Sequence, residues 1–242
     1  MRILIIRHGD PDYSIDSLTE TGWKEAHLLA DRLMNEQIDD IYCSIFGRAK
    51  DTAKEYLERS GKSATYCDWL REVDYMQAEN PQIPGTKRPM WDFMPKYFCN
   101  DEKMHSKNDW QNSDVIKDTD VPSHYKNVCD NIDSILAKHG YIRNGNMYVT
   151  EQGNHDTIAF FCHFGTESIL LSHLLNASPF IFLQNTFASP TSVTTIYTEE
   201  RVKGEVSLRF AAFSDTSHLY MGGLKPSFSG RFCECFEDDT RH

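Results

Sequence analysis

A chain of 242 residues, 40 % of them apolar and 13 of them glycine, holds enough apolar material for one large domain or for a domain with an elaborate insertion. Its net charge of -11 speaks against a generic nucleic-acid or anionic-membrane surface, so any affinity for phosphate must come from a local cluster of Arg and His. Seven scattered cysteines (43, 67, 99, 129, 162, 233 and 235) fit free thiols in a reducing compartment, and the absence of a membrane-length or signal-peptide run leads to a cytoplasmic expectation.

Ile3 to Ile6 is a short branched apolar run, suited to a strand buried on both faces of a parallel sheet. Arg7, His8 and Gly9 follow at its carboxyl end, where open α/β sheets bind their ligands. Arg offers a planar fork of donors matched to phosphate oxygens, and a neutral imidazole is a competent nucleophile toward phosphorus. Gly9 would let backbone come close. Because side chains alternate along a strand, Arg7 and His8 can converge only if the strand ends at or before Arg7. Alone, such a tripeptide is better read as a buried His beside a surface Arg.

Asp10 to Ser17 reads as a polar loop, and Thr19 as the N-cap of a helix running to about Glu36, with Trp23, Ala26, Ala30, Leu33 and Met34 facing the sheet. Ile41 to Cys43 is a second strand. Ser44, Gly47 and Arg48 then open a helix with Ala49, Thr52, Ala53, Tyr56 and Leu57 on one face, placing Arg48 at another sheet edge near a helix N-terminus. Ala64 to Cys67 forms a third strand leading into Asp68 to Asp74. From Tyr75 to Val121, prolines and aromatics replace periodic patterning, which describes an inserted cap over about residues 75–121.

Pro122 starts a helix with Tyr125, Val128, Ile132, Ile135 and Leu136 on one face and Gly140 as its stop. Thr157 to Cys162 is a second buried strand that runs into His163, Phe164, Gly165 and Thr166 and an apolar helix from Ile169 to Leu175, repeating the layout of the opening. Thr191 to Thr198 and Glu205 to Phe213 read as an antiparallel hairpin at the sheet edge, joined around Lys203 and Gly204. The tail from Ser214 reads as irregular. Cys233, Cys235 and His242 have the wrong spacing for a structural zinc site and are expected as a free-thiol tail. Together these elements describe a three-layer α/β/α domain over residues 1–242, with a mostly parallel central sheet, an antiparallel edge strand and the inserted cap.

These blocks resemble the histidine phosphatase superfamily, which includes the phosphoglycerate mutases. Arg7-His8-Gly9 is similar to its signature, Leu18 to Gly22 to the start of its first helix, and Ser44 to Ala53 to its second block, with Ile45 where proline is usual. Leu70-Arg71-Glu72 resembles the segment holding the proton donor, His163-Phe164-Gly165 the second histidine block, with Phe164 in place of Gly, and Asp215 to Leu219 a closing segment of some members. The resemblance implies that His8 attacks phosphorus, that Arg7, Arg48 and His163 hold the equatorial oxygens, and that Glu72 serves the leaving group and then the water. Gly9, Ser14, Thr52 and Phe164 are further substrate-side candidates, and His218 a candidate for the pocket lining. It implies no metal and no cofactor. The expected activity is phosphomonoester hydrolysis on a small organic phosphate through phosphohistidine. The alternatives are a mutase, whose Glu, Trp and Asn pattern is missing from Asp10 to Ser17, and a non-catalytic phosphate-binding protein. Expected partners are a small-molecule phosphomonoester and neither nucleic acid nor membrane; oligomeric state is left open.

Overall fold

The branched run Ile3 to Ile6 forms the inner part of strand β1 (Arg2–Arg7), fully enclosed on both sides. In the computed structural model, which describes residues 1–237, β1 is followed by the two-residue strands β2 (Pro11–Asp12) and β3 (Ser17–Leu18), then by α1 (Glu20–Leu33), β4 (Asp40–Ser44), α2 (Gly47–Ser60) and β5 (Thr65–Cys67). The proline-rich stretch contains the hairpin β6 (Gln77–Glu79) and β7 (Lys87–Pro89) and two single-turn helices, α3 (Pro95–Phe98) and α4 (Glu102–His105). Next come α5 (Val121–Lys138), the hairpin β8 (Ile142–Asn144) and β9 (Met147–Val149), then β10 (Thr157–Cys162) and α6 (Phe164–Leu174). The chain continues through α7 (Pro179–Asn185), the long strands β11 (Val193–Val202) and β12 (Glu205–Asp215), and α8 (Ser217–Met221).

One eight-stranded sheet, in the order β5-β4-β10-β1-β11-β12-β9-β8, organises these elements. The first four are mutually parallel, and the other four continue the sheet antiparallel. The period-2 alternation of β1 divides the core. Leu4 and Ile6 pack with Leu29, Leu33, Ala49, Ala53 and Tyr56 of α1 and α2 on one face. Ile3 and Ile5 pack with Val128, Ile132, Ile169 and Leu170 of α5 and α6 on the other. A strand buried on both faces therefore has a helical layer on each side.

Several elements differ from the sequence expectation. The β11–β12 hairpin does not lie at the edge: β11 pairs with β1, and Glu205 and Val206 at the start of β12 pair with Val149 and Tyr148 of β9, leaving β8 outermost. The Ile142–Val149 hairpin, turning at Gly145 with φ +60, was not expected, because three-residue strands carry too little alternation to register. The helix after His163 starts at Phe164 instead of Ile169, and the region after Ser214 includes α8. His242, grouped above with Cys233 and Cys235, lies outside the described residues.

Helix α1 also faces differently. Its N-cap is Thr19, whose hydroxyl accepts from Gly22 N at 3.0 Å, but Trp23 and Met34 are 40 % and 42 % exposed, while Gly22, Glu25, Ala26 and Leu29 are buried. The cause is a backbone contact: a Cβ at Gly22 would sit 2.3 Å from the carbonyl oxygen of Asp10, so this face must press on the chain leaving β1. Gly22→Ala should cost about 1–3 kcal/mol, as other forced overpacking does, read as a lowered midpoint in urea with an unchanged m value.

Candidate active site

The parallel register of β1 with β10 pairs Ile6 with Phe161 and Arg7 with Cys162, so the next residues along, His8 and His163, leave the sheet side by side. Their rings lie 5.0 Å apart between centroids at 56°. His8 is held by its own backbone, with N donating to Cys162 O at 3.0 Å and O accepting from Thr191 N at 3.2 Å. Its Nδ1 is 2.7 Å from Gly9 O, and a carbonyl can only accept, so the proton sits on Nδ1 and the lone pair on Nε2. On His163, Nε2 is 2.8 Å from Ser44 Oγ while Nδ1 is buried with no protein partner.

Arg48 enters from the first turn of α2. The ring of Phe46 lies 4.7 Å from its guanidinium carbon on one side and 5.3 Å from the ring of His163 on the other, which links Arg48 to the imidazoles. Asp16 Oδ1 accepts from Arg48 Nη1 at 2.6 Å and Oδ2 from Gly47 N at 2.6 Å. Arg7 donates Nη1 to the carbonyls of Ala188 and Ser229. Nε of Arg7 and Nε of Arg48 are buried without a protein partner.

Burial holds both imidazoles well below the usual histidine range, and neighbouring positive charge adds to it: Arg7 and Arg48 for His8, and for His163 the His8 ring with the same two arginines. Both are therefore neutral at pH 7. Glu72 follows the short turn after β5. Its Oε1 accepts from Val73 N at 2.9 Å and Thr166 N at 3.3 Å, which sets it at the N-terminus of α6. Gly165 makes this possible, since a Cβ there would lie 2.6 Å from Glu72 Oε1 and 2.6 Å from Trp91. Burial pushes the Glu72 carboxyl above the ordinary value, outweighing those amides and the pull of Arg7 and Arg48. A pocket of about 450 Å³ opens here, lined by Arg7, Glu72, Phe164, Tyr13, Trp91 and residues 230–234 among others.

Other candidates fall elsewhere. Ser14 is exposed and bonded to Asp12 Oδ1 through N and Oγ in a local turn. Thr52 Oγ1 accepts from Gly9 N at 2.9 Å and donates to Arg48 O at 2.7 Å, so it fixes the backbone under the site, its proton already committed. Gly9 is needed for backbone rather than ligand approach: a Cβ would meet Gly22 O at 3.0 Å. His218 lines a different pocket with Leu28 and Arg32, and its Nε2 lies 3.2 Å from Thr191 Oγ1. Among the described residues no group of three or more His, Cys, Asp or Glu has a metal-holding arrangement, and no helix is long and apolar enough to cross a membrane.

The model of the histidine phosphatase superfamily (branch 1) matches residues 3–120, the part that carries Arg7, His8, Arg48 and Glu72. Over those 118 of its 242 residues the chain is similar to the histidine phosphatase superfamily. A probable phosphatase of Schizosaccharomyces pombe is 27 % identical over 234 residues, 90 % of this chain and 95 % of that one. The probable phosphoglycerate mutase GpmB of Yersinia pestis is 32 % identical over only 92 residues, 34 % of this chain and 43 % of its own. Among solved structures, a phosphoserine phosphatase mutant of Entamoeba histolytica shares the fold at TM-score 0.59 and 17 % identity, over 90 % of this chain and 98 % of that one. A mycobacterial glucosyl-3-phosphoglycerate phosphatase does so at 0.57 and 16 %, over 88 % and 98 %.

The protein also builds this site from residues that carry no sequence signal. Tyr13 and Asp16 flank Arg48, and the buried Glu25 ties the opening loop to the tail, accepting from Asp10 N at 2.8 Å and Ser227 N at 3.1 Å. Glu167, one turn after His163, is fully buried, and burial pushes its carboxyl up to about 7 against the pull of Thr194 and Arg7. A carboxyl pKa raised on folding gives stability that is complete below the ordinary value of 4.5 and lost as pH rises through about 7. Glu167→Gln should therefore gain stability relative to wild type between pH 5 and 8, by up to about 3 kcal/mol, in chemical denaturation series at the two pH values.

Proposed function

We propose that the protein hydrolyses phosphomonoesters of small organic alcohols through a phosphorylated His8, without a metal or cofactor. The observation that carries this reading is the cluster of buried nitrogens without protein partners, Nε of Arg7, Nε of Arg48 and Nδ1 of His163, gathered around a neutral imidazole whose lone pair is on Nε2. Buried donors are almost always satisfied, and a tetrahedral oxyanion would satisfy these.

In this reading His8 Nε2 attacks phosphorus in line and the bond from phosphorus to the alcohol oxygen breaks. Arg7, Arg48 and His163 hold the equatorial oxygens as charge spreads over them, with Gly9, Thr52 and Phe164 shaping the floor and wall around them. Glu72, whose carboxyl burial raises above its ordinary value, gives its proton to the leaving oxygen. As a carboxylate it then takes a proton from the water that attacks phospho-His8, breaking the phosphorus–nitrogen bond and releasing inorganic phosphate. The opposite displacements of the two groups, histidine downward and glutamate upward, widen the pH range in which a neutral nucleophile and a protonated acid coexist. A mutase reading has thinner support, since that relative matches over 92 residues alone and no set of arginines faces the pocket beyond Arg7 and Arg231 among its described lining. Free thiols at Cys43, Cys67, Cys99, Cys129, Cys162 and Cys235 suit a reducing compartment such as the cytoplasm.

His8→Ala should abolish both release of phosphate and acid-quench labelling of the enzyme, while circular dichroism stays native; a labelled, active variant overturns the reading. The rate should rise with pH through a midpoint below 6.5 as His8 loses its proton, and fall again through a midpoint above 4.5 as Glu72 loses its own. Glu72→Gln should remove the alkaline limb and slow an alkyl phosphate by roughly 10²–10⁴-fold, but an activated aryl phosphate much less.

A further inference from the structure

Large aromatic side chains stand in water around the mouth of the pocket that holds Arg7 and Glu72. Tyr13 is 68 % exposed, Phe187 42 % and Phe232 59 %, and behind them Trp91 and Phe164 meet edge to face at 6.4 Å. The five come from the loop after β2, the cap, the start of α6, the segment after α7 and the C-terminal tail. Exposed apolar surface converging on one concavity from five places marks a binding surface, whereas isolated exposed aromatics do not.

The charges at the same mouth point the same way. Arg231 is the cation of the described lining besides Arg7, and it is already engaged: Nη2 contacts Glu234 Oε1 at 2.6 Å, and the guanidinium lies over Phe228 at 4.3 Å and Phe187 at 5.3 Å. Glu72 and Glu234 are both on the lining. An acidic group on the substrate's alcohol would meet the Glu234 carboxylate and a neutralised guanidinium.

The tail is fastened to the reacting end of the pocket. Ser229 O accepts from Arg7 Nη1 at 3.0 Å, Ser227 N donates to Glu25 at 3.1 Å, and a Cβ on Gly230 would lie 2.6 Å from Arg7 Nη1. The segment from Ser227 to Glu234 is thus registered against the same arginine that faces His8, and it carries Phe232 at a fixed distance from it.

We propose, resting on the phosphomonoesterase reading above, that the substrate's alcohol is a flat, uncharged, mostly apolar group such as an aromatic ring, and that the C-terminal segment is the specificity wall against which it stacks. Phe232 is the specificity-determining residue of that wall. Arg231, turned away by Glu234, does not recruit a carboxylate.

The test compares kcat/KM for three esters with alkyl-oxygen leaving groups: 2-phenylethyl phosphate, O-phosphoserine and methyl phosphate, which is too small to reach the wall. Wild type should prefer 2-phenylethyl phosphate to O-phosphoserine by roughly tenfold or more, and Phe232→Ala should lower the first by about tenfold while leaving methyl phosphate within about twofold. Glu234→Gln, which frees Arg231, should raise kcat/KM for O-phosphoserine. Equal or better turnover of O-phosphoserine by wild type, or equal losses on methyl and 2-phenylethyl phosphate in Phe232→Ala, overturns the assignment while phospho-His8 and phosphate release leave the hydrolase reading standing. If none of the three esters releases phosphate or labels His8, the hydrolase reading falls and this one with it.

Discussion

The pairing of β1 with β10 is the constraint on which the site depends. Parallel strands have no tight turn to set their register; it is fixed by which side chains fit the core on both faces. Ile3 and Ile5 face α5 and α6, Leu4 and Ile6 face α1 and α2, and a slip of one residue would turn each set to the wrong layer. With the register locked at Arg7 opposite Cys162, two histidines separated by 154 residues emerge next to each other. The hydrophobic effect thus aligns polar groups that have no attraction for each other, since two imidazoles gain little by meeting.

The same burial decides the charge states. Each imidazole sits beside guanidiniums and out of water, so the cost of a further positive charge is high and both stay neutral. Glu72 is subject to the reverse balance. The backbone amides of Val73 and Thr166 and the nearby arginines favour its anion, but desolvation is larger. One environment therefore shifts the imidazoles downward and the carboxyl upward together. Arg7 is held by the carbonyls of Ala188 and Ser229 and Arg48 by Asp16, and in each the buried Nε keeps no protein partner.

Glycine matters here for contact rather than for freedom. Gly165 gives Glu72 the space beside α6, and Gly22 lets the loop after β1 press on α1, both at separations that no Cβ permits. The aromatic mouth is built the same way, out of distant pieces brought to one rim by the sheet, the proline-rich stretch and the tail.

What the sequence determined by itself was the architecture. Ile3 to Ile6 and Thr157 to Cys162 are continuous branched or aromatic runs that admit few environments, and each is followed by a histidine and, two residues on, a glycine or, for His8, by glycine directly. The α/β fold and the parallel core followed from such local patterns and their order, and the family resemblance of those blocks put Arg7, His8, Arg48, Glu72 and His163 forward as candidates. The tertiary structure decided everything that depended on which side of an element faces which neighbour. Trp23 and Met34 are as apolar as a core needs, yet a carbonyl against Gly22 turns them to solvent. Thr52 looks like a phosphate ligand until Gly9 N claims its oxygen, and the β11–β12 hairpin looks like an edge until the short strands β8 and β9 cover it. Glu167, Glu25 and the Ser227–Glu234 tail carry no periodic signal, because their roles come from contacts across more than a hundred residues of chain, and composition along a chain does not record distance across a fold.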